Sequence, residues 1–136
     1  MDYESAQNSI KGAVEEAKNL NLRMSIAVVD QGANLVCFVR MDDALLGSAD
    51  IAIRKAKTAV FFNVPTGKLG ELSQPGGPLF NIEHSNGGLI TFAGGVPIHD
   101  PDGNIIGGIG VSGGSVEEDH LVAEAGKKAS GVGKKL

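Results

Sequence analysis

Two apolar runs, Met24–Asp30 and Leu35–Arg40, are separated by only a few residues, and that short link constrains the fold more than anything else in the chain. A parallel pair of strands needs a crossover of a dozen or more residues, whereas Asp30-Gln31-Gly32-Ala33-Asn34 supplies only turn residues. The two runs must therefore pair antiparallel. Asp100-Pro101-Asp102-Gly103-Asn104 repeats the device between Val96–Ile98 and Ile105–Val111. A fifth run, Leu89–Ala93, precedes Gly94-Gly95, a pair that invites a hairpin turn into Val96.

Helical periodicity fills the intervals. Between Ser5 and Leu20, apolar Ala6, Ile10, Ala13, Val14, Ala17 and Leu20 recur at steps of three and four. From Ser48 to Phe62 the stripe is Ala49, Ala52, Ile53, Ala56, Ala59 and Val60, small enough to approach a sheet closely. Ser115-Val116-Glu117-Glu118 matches a capping box and opens a closing helix with Leu121, Val122, Ala125 and Ala129 behind it. Val64–Phe80, broken by Pro65, Gly67, Gly70, Pro75, Gly76, Gly77 and Pro78, reads as a loop with at most a short helical turn. The order helix, strand, strand, helix, loop, strand, strand, strand, helix predicts an α+β fold: a five-stranded, mainly antiparallel sheet flanked by helices. At 136 residues, this is one domain spanning positions 1–136.

Composition removes several classes of function. A net charge of −4 argues against nucleic acid as the partner. Lys127, Lys128, Lys134 and Lys135 form a short cationic end that reads as a solvated tail. A single Cys37 excludes an internal disulfide, fits a cytoplasmic setting, and reads as a buried, inert thiol. The first residues lack the pattern of a secretory leader, and no run reaches the roughly 18 apolar residues needed to span a bilayer. No membrane partner is expected. Glycine is the anomaly: 20 residues, about twice ordinary usage, with Gly107, Gly108 and Gly110 inside one strand. They allow a backbone, a side chain or a ligand to lie against it.

Gly108-x-Gly110-x-x-Gly113 spells the dinucleotide fingerprint, but the helix after Ser115 ends the chain, leaving no further strand to carry the acidic residue that fold needs. Backbone N–H groups around Ser112, Gly113 and the helix start could still receive a carboxylate or phosphate. His84, His99 and His120 lack the i, i+4 spacing of a metal pair, so no metal site is legible. His99 reads as solvated and His120 as a surface or packing residue. His84 follows the Pro/Gly stretch and is the histidine placed to meet a ligand. The cations Arg40, Arg54, Lys55 and Lys57 could each bind an acidic group, and Lys55, close to the apolar stripe, stands out among them.

Five segments together resemble the GlcG/HbpS family (DUF336), haem-binding or haem-degrading domains similar to the C-terminal domain of PduO-type corrinoid adenosyltransferases. They are Ile26-Ala27-Val28-Val29-Asp30-x-Gly32, Arg54-Lys55-Ala56-Lys57-Thr58-Ala59, Phe92-Ala93-Gly94-Gly95-Val96-Pro97, Gly107-x-Ile109-Gly110-Val111-Ser112-Gly113 and Ala123-Glu124-Ala125-Gly126. The resemblance implies a profilin-like fold, assembly into homo-oligomers from dimer to octamer, and haem or a related tetrapyrrole as ligand. The N-terminal histidine associated with haem in PduO-type relatives has no counterpart in the first helix. The expected ligand contacts are His84, Lys55, Arg40, Gly94, Gly95, Ser112 and Gly113. A different class of function is a small metabolic enzyme or accessory protein for an anionic organic acid, with Arg40 or Lys55 holding the carboxylate and His84 handling a proton.

Overall fold

In the computed structural model, which describes residues 1–132, the elements run α1 (Tyr3–Asn19), β1 (Ser25–Asp30), β2 (Leu35–Arg40), α2 (Ser48–Phe62), α3 (Thr66–Leu72), a 3₁₀ turn (Ile82–His84), β3 (Gly95–His99), β4 (Ile105–Ser112) and α4 (Val116–Ala129). Lys134 and Lys135 of the cationic end lie outside the described residues. The sheet has four strands in the order β2-β1-β4-β3, every neighbouring pair antiparallel. The predicted hairpins at Asp30–Asn34 and Asp100–Asn104 form, closed by the same device. Asp30 Oδ1 accepts from the N–H groups of Gly32 and Asn34, and Asp100 Oδ1 accepts from those of Asp102 and Asn104, each at 2.9 Å.

The expected fifth strand, Leu89–Ala93, is not one. Its backbone groups bond to the 3₁₀ turn and to side chains rather than to a neighbouring strand, Leu89 N–H donating to Glu83 O at 2.9 Å. Ile90 N–H donates to Thr58 Oγ1 at 3.2 Å, and Thr66 Oγ1 donates to Phe92 O at 2.7 Å. Gly70 of α3 lies so close to the Thr91 carbonyl that any Cβ there would collide with it. Helix α3, seven residues where a single turn was expected, therefore occupies the space a ladder would need. Gly94-Gly95 is in consequence not a hairpin turn.

Alternation along β1 divides the interior into two layers. Ile26 and Val28 join Ile109, Val111, Val96 and Ile98 under α1 and α4; Ala27 and Val29 face α2 with Ala52 and Ala56. On the α2 side, β4 presents Gly110 to the helix, and an added Cβ would strike the backbone of Ala52 and Ala56. Gly108 and Gly110 thus lie against the α2 backbone, Gly108 also against the Val60 side chain, whereas Gly107 faces the Val29 carbonyl of β1 and the Met1 side chain. Helices α1 and α4 also approach closely: Ser9 Oγ donates to Gly126 O at 2.8 Å where both are buried. On α4 the buried stripe is Asp119, Val122, Ala123 and Gly126, while Leu121, expected inside, is 56% exposed. The capping box forms as read, Ser115 and Glu118 exchanging side-chain and backbone bonds.

Candidate functional site

Because β2 is an edge strand, α1 covers it from one side only, and a recess runs along their seam. One hollow of about 560 Å³ is lined by Val14, Lys18, Asn21, Leu22, Arg23, Val39, Arg40, Met41 and Asp42. A second, of about 410 Å³, lies towards the start of both elements and is lined by Tyr3, Gln7, Ile10, Lys11, Val36, Cys37 and Phe38. Both volumes fall within the range of small-molecule sites. The walls are apolar, since Ile10, Val14, Leu22, Val36, Val39 and Met41 pack against the main core. Cations stand among them. Arg40 is held by a 2.9 Å bond to Ala44 O, and Arg23 donates to Asp42 O at 3.2 Å. The Arg23–Asp43 pair, at 3.6 Å and largely exposed, adds little stability. Cys37 is half-buried rather than sealed, and burial raises its thiol above the ordinary range, so it stays protonated at neutral pH.

Lys55 takes the opposite course. It is fully buried, and its Nζ donates to Asp119 Oδ2 at 2.9 Å and to Val111 O at 2.8 Å. The Phe92 ring stands over it, 5.0 Å from Nζ to the centroid. Asp119 takes a further bond from Gly114 N–H at 2.9 Å. Burial lowers Lys55 and raises Asp119, each opposed by the partner's charge. With both charges hydrogen-bonded, the pair is a cross-brace joining α2, β4 and α4. Gly94, at φ +128°, makes room for it, because a Cβ there would stand 2.5 Å from Nζ. Gly95 N–H donates to Thr66 Oγ1 at 2.9 Å beside it. A fully enclosed ammonium has no access to a substrate carboxylate.

The predicted site residues therefore divide. Lys55, Gly94 and Gly95 come together around the brace. Ser112 and Gly113 line a shallow hollow of about 290 Å³ with Leu45, Gly47, Ser48, Ile51 and Gly114. The start of α4 already commits the N–H groups of Gly114, Ser115 and Glu118 to Asp119, Glu118 and Ser115 side chains, leaving those three unable to receive an anion. Arg40 belongs to the seam. His84 is exposed on the 3₁₀ turn, and among the described residues no hydrogen bond joins it to Arg40 or Lys55. His99 is less solvated than expected, 2.6 Å from Asn63 Oδ1. His120 lies 3.8 Å from Glu124. Sequence reasoning missed Asp119, although an acid on a buried helical stripe at i, i+3, i+4 and i+7 with Val122, Ala123 and Gly126 was a usable signal. It also missed the seam, whose residues are scattered from Tyr3 to Asp42.

The family described as haem degrading protein HbpS-like matches residues 1–128. The chain belongs to the HbpS-like family. The corrinoid adenosyltransferase PduO of Salmonella typhimurium is 37% identical over 134 residues, 98% of this chain, which spans only 40% of that protein's length. Among solved structures, Klebsiella pneumoniae ORFY superposes with a TM-score of 0.94 at 31% identity, covering 98% of this chain and 92% of that one. The PduOC:Heme complex superposes with a TM-score of 0.92 at 36% identity, covering 100% of this chain and 99% of its own. The HbpS-like fold thus accounts for the four-stranded sheet and its helices, and haem binding occurs within the family.

Proposed function

We propose that this HbpS-like chain binds haem or a related tetrapyrrole in the α1–β2 seam. The observation that carries the reading is the PduOC:Heme complex, whose protein is similar to this chain along its full length. The seam fits such a ligand chemically. A tetrapyrrole is a flat apolar ring bearing carboxylates, and here apolar Val14, Leu22, Val39 and Met41 share a hollow with Lys18, Arg23 and Arg40. The guanidinium groups suit paired recognition of carboxylates. Among the residues lining the second hollow, Cys37 and Tyr3 carry groups that would ligate iron, the thiol giving up the proton that burial keeps on it. Bound haem would supply the redox and ligand chemistry of iron, while the chain would exclude water from one ring face and hold the carboxylates.

Homo-oligomer formation and a cytoplasmic setting belong to the same reading. Leu45 and Leu46 are 71% and 83% exposed next to each other, and Leu35 and Phe38 stand out on the edge strand, more apolar surface than a lone protomer has cause to show. No helix among the described residues is long and apolar enough to cross a membrane. Titrating the protein with hemin while following the Soret band tests the proposal. Saturable binding at micromolar hemin, weakened about tenfold by Arg23→Ala combined with Arg40→Ala, is expected. Absence of saturation, or an affinity indifferent to both arginines, would remove the seam as the site.

A further inference from the structure

A hollow of about 300 Å³ lies on the other side of the sheet from the seam, between the outer face of α2 and the loop that follows the 3₁₀ turn. Its lining is Asp50, Ile53, Arg54, Lys57 and Phe61 from the helix and Asn86, Gly87 and Gly88 from the loop. We infer that this hollow is a binding site for a small organic carboxylate with an apolar body, held by Lys57 and the free edge of the Arg54 guanidinium.

The site is built around Arg54. Its Nε donates to Asp50 Oδ2 at 2.8 Å, and its Nη1 donates to the carbonyls of Gly87 and Gly88 at 2.6 and 3.1 Å. Those bonds pin loop to helix and fix the guanidinium plane, while Nη2 makes no hydrogen bond among the described residues. Gly88, at φ +108°, permits this approach: a Cβ there would stand 2.7 Å from Nη1. The carboxylate of Asp50 is engaged by Arg54, leaving Lys57 as the uncompensated charge. Lys57 is half-buried and, among the described residues, has neither a hydrogen bond nor an ion pair. Its ammonium stays open to solvent at the edge of the hollow, free to form a charge-assisted bond with an anion.

The loop adds to this. Asn86, Gly87 and Gly88 are three consecutive residues at positive φ, and the N–H groups of Asn86 and Gly87 donate to no other group of the described chain. Successive unpaired N–H groups in such turns favour anions. Ile53 and the 47% exposed Phe61 ring give the hollow an apolar wall, which selects a carboxylate carried on an aromatic or aliphatic body over a bare inorganic ion.

Benzoate is the probe, added to the full chain over a millimolar range while ¹H–¹⁵N correlation spectra are recorded. Saturable shifts are expected at the amides of Asn86, Gly87 and Gly88 and at Arg54 Nε, with affinity falling about tenfold in Lys57→Gln, whose half-buried position leaves folding intact. Neutral benzamide should bind at least about tenfold more weakly than benzoate. The inference is overturned if benzamide matches benzoate, if Lys57→Gln binds benzoate unchanged, or if the shifts fall on Lys18, Arg23 and Arg40 instead. Hemin binding in the seam is independent of this result, so either proposal can fail without the other.

Discussion

The Lys55–Asp119 brace and the α1–β2 seam both set cations among apolar side chains, yet they do opposite work. In the brace, every polar atom of Lys55 and Asp119 faces a protein partner, and the two residues are 0% and 3% exposed. In the seam, Lys18, Arg23 and Arg40 are exposed beside Val14, Val39 and Met41, Arg23 paired only loosely with Asp43 and Arg40 held by a single backbone carbonyl. Position in the sheet causes the difference. The residues of β4 are covered on both faces, so a lysine from α2 is sealed on arrival, whereas β2 has a free edge and one helix cover. Burial of charge here marks architecture, and exposed charge beside an apolar edge is where the proposed ligand would be met.

Breaking the brace should give the largest effect. Asp119→Ala leaves Lys55 enclosed and unpaired, and should cost about 3–5 kcal/mol of stability, read as a loss of urea midpoint. Lys55→Met combined with Asp119→Leu removes both charges together and should recover most of that loss. If the double variant is as unstable as the single one, the brace is not an isolated ion pair and the contrast with the seam weakens.

The seam should answer in binding and not in stability. Arg40→Ala removes an exposed side chain with one bond to the Ala44 carbonyl, so denaturation should shift by under about 0.5 kcal/mol while hemin affinity falls. Cys37→Ala sharpens the point further. A changed Soret position with unchanged unfolding would place the thiol against the iron, and an unchanged Soret band would exclude it.

The smallest effects belong to the turns that frame both regions. Asp30 and Asp100 are held below the ordinary carboxylate range, chiefly by the backbone N–H groups of Asn34 and Asn104. A depressed folded-state pKa contributes stability above the unfolded value and loses it as pH falls through the folded one. Asp30→Asn with Asp100→Asn should therefore flatten the decline in stability below about pH 4, followed by thermal melts, without touching hemin binding.

Legibility followed the range of the interactions. Local signals placed β2 at Leu35–Arg40 and α2 at Ser48–Phe62 with the observed bounds, along with both Asp-to-Asn turns and the capping box at Ser115. Leu89–Ala93 has the composition of a strand, but Thr58 and Thr66 bind its backbone from helices 26 or more residues away, an outcome no window of sequence contains. Lys55 could be singled out beside an apolar stripe, but its partner lies 64 positions on. The seam was hidden for the same reason, being the meeting of two elements whose own patterns were each read correctly.

The glycines of β4 carry a consequence for how this scaffold can vary. Where α2 rests on Gly110, backbone meets backbone, and there is no side chain at the contact that could be trimmed by a methyl or exchanged for one of similar bulk. That layer has no small steps available to it. The opposite layer, made of isoleucines and valines against two helices, can trade volume between neighbours. Divergence within this architecture should accumulate beneath α1 and α4, while the spacing of α2 from the sheet stays locked.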